Sequence, residues 1–146
     1  MYAIKHLFHI AQDRPAVYAA LSTRDGLAAW WAADTRGSST LDSLLSFHFP
    51  PHASFEMQVL ALEPGLAVSW ECRSGPAEWV GTRLHFRLDD NEGKTRVRFS
   101  HEGWQQMDDT YAAVTFSWSR FFESLRQYCQ TGQGTPYQAP ASVAAH

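Results

Sequence analysis

Five runs of alternating residues, followed by one long aromatic stripe at helical spacing, set the main limit on what this chain can fold into. The runs cover residues 44–49, 54–62, 66–72, 78–88 and 94–101. Turn-forming stretches separate several of them: Pro50-Pro51, Glu63-Pro64-Gly65 and Asp89-Asp90-Asn91-Glu92-Gly93. Period-two alternation with tight turns predicts an antiparallel meander with one apolar and one wet face. Phe55, Met57, Val59 and Ala61 share a face in the second run, and Leu66, Val68, Trp70 and Cys72 in the third. In the fourth, Val80, Thr82, Leu84, Phe86 and Leu88 face one way and Arg83, His85 and Arg87 the other. In the fifth, Thr95, Val97, Phe99 and His101 oppose Arg96 and Arg98. Residues 4–10 add a first strand with Ile4, His6, Phe8 and Ile10 on one side, which makes six strands.

The stripe runs through Tyr111, Val114, Trp118, Phe122, Leu125 and Cys129, and Phe121 and Tyr128 widen it. Three- and four-residue spacing of this kind predicts an amphipathic helix. Asp108-Asp109 suits its positive N-terminal end and Gly132 its stop. Residues 110–131 would span about 33 Å at the helical rise. Ser117, Arg120, Glu123, Gln127 and Gln130 fall on its solvent side. Two short helices are expected after the first strand. Asp13 caps one, with Pro15 in its first turn and Val17 and Leu21 inward; the other covers residues 26–31. A six-stranded sheet with one apolar face can bury that face by curling around the long helix. The expected fold is therefore α+β, one domain over residues 1–134, with a mobile tail over 135–146.

Six Trp, nine Phe and five Tyr in 146 residues are many for a small core. They predict a wide apolar interior with room for a guest. Acidic and basic residues are interspersed and the net charge is −3, so nucleic acid is not an expected partner. No apolar run approaches the roughly 18 residues that would insert stably in a membrane. The first ten residues, broken by His and Lys, do not resemble a signal peptide, and a cytoplasmic location is expected. Cys72 and Cys129 are expected as free thiols. The usual nucleotide, zinc-protease and serine-hydrolase motifs are missing, and His6, His101, Cys72 and Glu102 have no ligand spacing; neither metal nor cofactor is expected.

The order strand, two short helices, meander, long helix resembles the helix-grip fold of the START-like SRPBCC superfamily. Within it, the chain resembles the subfamily related to the activators of the heat-shock-protein-90 ATPase. The residues carrying this are Val17-Tyr18-Ala19-Ala20-Leu21, Gly26-Leu27 with Trp30-Trp31, and Leu62-Glu63-Pro64 before Val68-Ser69-Trp70-Glu71-Cys72. Glu78-Trp79-Val80-Gly81-Thr82, Phe99-Ser100-His101-Glu102-Gly103-Trp104 and Trp118 with Leu125 continue it. The resemblance implies binding of a small apolar or aromatic molecule in an internal cavity. It also implies two alternatives: a cyclase or aromatase, and a chaperone-associated interaction module. Eukaryotic activators carry an additional N-terminal domain, which this length does not accommodate.

The candidate ligand-binding residues are His6, Trp30, Trp31, Trp70, His101, Tyr111, Trp118 and Phe122. No catalytic residue is assigned. A cyclase would draw acid–base help from His6, His101 or Tyr111. His6 and His101 lie on the apolar faces of strands that are neighbours in this fold, so an approach between them is expected. The opposing expectation is that they are hydrogen-bonded core histidines. Trp79 falls on the outer face by the same counting, where an exposed tryptophan would mark a homodimer contact.

Overall fold

A computed structural model describes residues 1–140 of the chain. Strand β1 (Tyr2–Ile10) is followed by α1 (Arg14–Ser22) and α2 (Arg24–Trp30). Then come β2 (Asp34–Gly37), β3 (Leu44–Phe49), β4 (Ala53–Glu63), β5 (Ala67–Ser74), β6 (Arg83–Asn91) and β7 (Lys94–Trp104), and finally α3 (Asp109–Thr131). The strands form one antiparallel sheet in the order β1-β7-β6-β5-β4-β3-β2. Its inner face carries Ile4, Phe47, Met57, Trp70, Phe86 and Phe99, all buried against the helices.

The caps follow from sequence chemistry. Asp13 accepts from the Ala16 N–H at 3.0 Å, Thr23 from Gly26 at 3.0 Å and Asp108 from Tyr111 at 3.1 Å. Each satisfies a backbone donor that a helix start leaves orphaned. Gly132 closes α3 in the left-handed region.

Two expectations need correction. Among the described residues the sheet has seven strands, not six. The added β2 is a four-residue edge strand in which only Thr35 is buried, so it shows no alternation; it exists because it pairs with β3. The fourth predicted run begins five residues early. Residues 78–82 form a turn held by Gly81 N–H to Cys72 C=O at 2.8 Å and Thr82 N–H to Trp79 C=O at 3.0 Å. Gly81, at φ +88°, reverses the side-chain phase, so Val80 is exposed and Trp79 is buried. Trp79 is thus a core residue, and the outer-face contact expected of it loses its basis.

The segment after α3 is tied to the body of the fold. Tyr137 pairs with the segment after α2, through Ala33 N–H to Tyr137 C=O at 2.9 Å and Tyr137 N–H to Trp31 C=O at 2.8 Å. Its hydroxyl donates to the Pro50 carbonyl, and Ser124 accepts from the Thr135 N–H at 2.8 Å. Residues 135–137 are therefore docked; residues 141–146 of the expected tail lie outside the described residues. Gly134 permits the docking, since a Cβ there would meet the Ala29 carbonyl at 2.5 Å.

Candidate functional site

The meander brings aromatic side chains from four segments to one end of the sheet. Trp31 follows α2, Phe49 ends β3, Phe55 opens β4, and Trp79 sits in the turn before β6. Trp118 joins them from α3. Their centroids close a ring: Trp31–Phe49 5.7 Å, Phe49–Phe55 5.7 Å, Phe55–Trp79 4.3 Å, Trp79–Trp118 6.2 Å and Trp118–Trp31 5.1 Å. Over this ring lies a pocket of about 750 Å³, within the size range of small-molecule sites. Val114, Ser117, Trp118 and Phe121 present one face of α3 to it, and residues 135–138 form a further wall. Its polar groups include Ser117, Arg120 and His52; among the described residues no Asp or Glu lines it.

Two of the eight predicted site residues, Trp31 and Trp118, line this pocket. The others lie behind or away from it. Trp30 is fully buried and its indole N–H donates to the Ala20 carbonyl at 2.8 Å. Trp70 stacks behind Trp31, with centroids 6.1 Å apart and planes nearly parallel. Phe122 packs between Phe8 at 4.8 Å and Phe99 at 4.8 Å. Tyr111 ties α3 to the first strand by donating to the Ala3 carbonyl at 2.8 Å.

His101 is buried at the centre of a hydrogen-bond relay. The Trp118 indole N–H donates to its Nδ1 at 3.2 Å. That leaves the proton on Nε2, which donates to Thr82 Oγ1 at 2.9 Å. Thr82 in turn donates to the Trp79 carbonyl at 2.6 Å. Burial lowers the His101 pKa to about 3, so the ring is neutral at physiological pH. The relay links the Trp118 indole to the Trp79 backbone carbonyl behind the pocket, and His101 is not among the residues that line it.

His6 is paired in register with Phe99, while His101 is opposite Ile4, so Phe99 stands between the two histidines. Burial also lowers the His6 pKa, and its Nε2 is buried without a partner among the described residues. Cys72 and Cys129 are free, and burial pushes their thiols up to about 11 and about 12. Both remain protonated at neutral pH, a poor state for nucleophilic attack. Among the described residues, no three His, Cys, Asp or Glu side chains converge to hold a metal ion, and no helix is long and apolar enough to cross a membrane.

Phe49, Phe55, Trp79, Phe121, Arg120 and Tyr137 complete the site without having been predicted for it. Phe49 and Phe55 flank Pro50-Pro51, and inward aromatics beside a turn are the signal that places them at the open end. Tyr137 had no such signal, because its place depends on a tertiary docking.

A curled antiparallel sheet gripping one long helix defines the helix-grip class. The chain belongs to the family described as Activator of Hsp90 ATPase homolog 1-like protein, whose profile matches residues 13–130. It is similar to the solution structure of the Aha1 dimer from Colwellia psychrerythraea, at 32% identity and a TM-score of 0.84, covering 92% of this chain and 100% of that one. Protein MLL2253 from Mesorhizobium loti shares the fold at 18% identity and a TM-score of 0.76, over 86% of this chain and 95% of the other. CalU16 from Micromonospora echinospora does so at 13% identity and 0.72, over 89% and 77%. Comparison with curated proteins found no significant match.

Proposed function

We propose that this protein binds a small apolar or aromatic molecule in the pocket between the end of the sheet, α3 and the docked C-terminal segment. The observation that carries the reading is the closed ring of five aromatic side chains beneath a cavity of about 750 Å³. The family's fold is compatible with ligand binding and with cyclase-like roles. Binding is favoured because His6, His101 and Tyr111, the groups assigned to proton transfer, lie outside the pocket wall. A cytoplasmic location accompanies this reading, on the strength of the two free thiols. Self-association is a second reading, supported by the description of the Colwellia relative as a dimer; light scattering during gel filtration tests it.

The test of binding is a titration with a neutral aromatic dye, N-phenyl-1-naphthylamine, followed by tryptophan quenching and by thermal unfolding. A ligand of the native state quenches Trp31, Trp79 or Trp118 and raises Tm by mass action. Phe121→Asp, which puts a carboxylate into the wall, abolishes both effects. Absence of quenching and of a thermal shift across a panel of such compounds would overturn the reading.

A further inference from the structure

Arg120, an exposed residue of α3 two positions after Trp118, contributes to the pocket wall. Among the described residues, Arg14, Arg24, Arg36, Arg73, Arg83, Arg96, Arg98 and Arg126 each have a carboxylate in salt-bridge range. Arg120 and Arg87 do not. The nearest helical acid that could serve Arg120, Glu123, is already held by Arg126 at 3.2 Å. The chain has 15 acidic residues against 12 Lys and Arg, yet among the described residues the pocket wall holds an arginine and His52 and no carboxylate side chain. A cation left without an anion at the rim of an apolar cavity is complementary to a ligand that brings the anion itself.

From this charge pattern we infer that the pocket takes an apolar carboxylic acid, its hydrocarbon body on the aromatic ring and its carboxylate on the Arg120 guanidinium. The inference rests on the binding reading above and adds the ligand's chemical class. The guanidinium fork offers two parallel N–H donors to a carboxylate. Ser117, one turn earlier on the same helix face, can add a hydroxyl donor. Arg87 provides the internal control. It borders a different groove on the outer face of the sheet, with Lys5, Arg98 and Ser100, and that groove would attract anions without regard to an apolar body.

The experiment compares 2-naphthoate with 2-naphthamide, which match in shape and differ in charge, by tryptophan quenching at neutral pH. Wild type, Arg120→Gln and Arg87→Gln are titrated in parallel. The expected result is that wild type binds the acid about tenfold more tightly than the amide, the scale of a charge-assisted hydrogen bond. Arg120→Gln removes that preference by weakening the acid far more than the amide, with an unchanged thermal unfolding transition showing the variant to be folded, and Arg87→Gln keeps it. Equal affinity for acid and amide in wild type overturns the inference but leaves the pocket reading standing. Loss of the preference in Arg87→Gln rather than Arg120→Gln overturns it in favour of the outer groove. Failure of both compounds to bind overturns the inference and the pocket reading together.

Discussion

His101 has both ring nitrogens engaged by core partners, Trp118 on one side and Thr82 on the other. Its proton affinity then becomes a stability term. The folded-state pKa of about 3 lies below the ordinary 6.5, so the unfolded chain takes up the proton first. Stability from this residue is complete above about pH 6.5 and declines as pH falls toward about 3. His6, also lowered by burial, adds in the same direction. Asp89, held down to about 2 by Arg96 and Arg98, contributes stability above its ordinary 3.8 and loses it only below that value. The interval between about pH 4 and 6.5 therefore isolates the histidines. Urea unfolding across that interval should show wild-type stability rising with pH, with most of the slope gone in His101→Gln. Equal slopes in the two proteins would contradict the buried neutral imidazole. By the same logic, His101→Phe should leave the Trp118 indole N–H unpaired at a cost of about 1–3 kcal/mol.

Among the elements, α3 has two working faces. Trp118, Phe122 and Leu125 are buried in the core, and Val114, Ser117, Arg120 and Phe121 line the pocket together with Trp118. Leu125→Ala should lower stability by about 2–5 kcal/mol, as a deep large-to-small change does, measured by chemical unfolding. A loss below about 0.5 kcal/mol, the range of surface sites, would show that the helix presents a different face. This face was legible in the sequence because helical spacing survives packing. The inward alternation of β4 and β7 was legible for the same reason. Strand β2 was not, since a short edge strand takes its identity from its neighbour. The turn at residues 78–82 was not, because Gly81 inverts the phase inside an otherwise regular run. The pocket was legible only through Trp31 and Trp118. The rest of its wall combines further α3 residues with a turn, a strand end and a docked segment, whose proximity is a product of the tertiary fold.

At the scale of the whole molecule, α3 packs on β1, α1 and α2, and its Trp118 and Phe122 rings meet Phe99 and Phe86 on the inner face of the sheet. Aromatic rings there serve both as the last layer of the core and as the floor of the cavity. The relay from Trp118 through His101 and Thr82 to the Trp79 carbonyl holds that floor in place. Tyr137, tied to Trp31 and Pro50, closes one side. The six tryptophans make the claim directly measurable, because each indole N–H gives its own signal in a ¹⁵N–¹H correlation spectrum. On titration with N-phenyl-1-naphthylamine, the signals of Trp31, Trp79 and Trp118 should move together in one saturable process. Trp30, fully buried and bonded to the Ala20 carbonyl, should stay. Stationary Trp31, Trp79 and Trp118 signals, with any change confined to amides on the outer face of the sheet, would contradict the binding pocket.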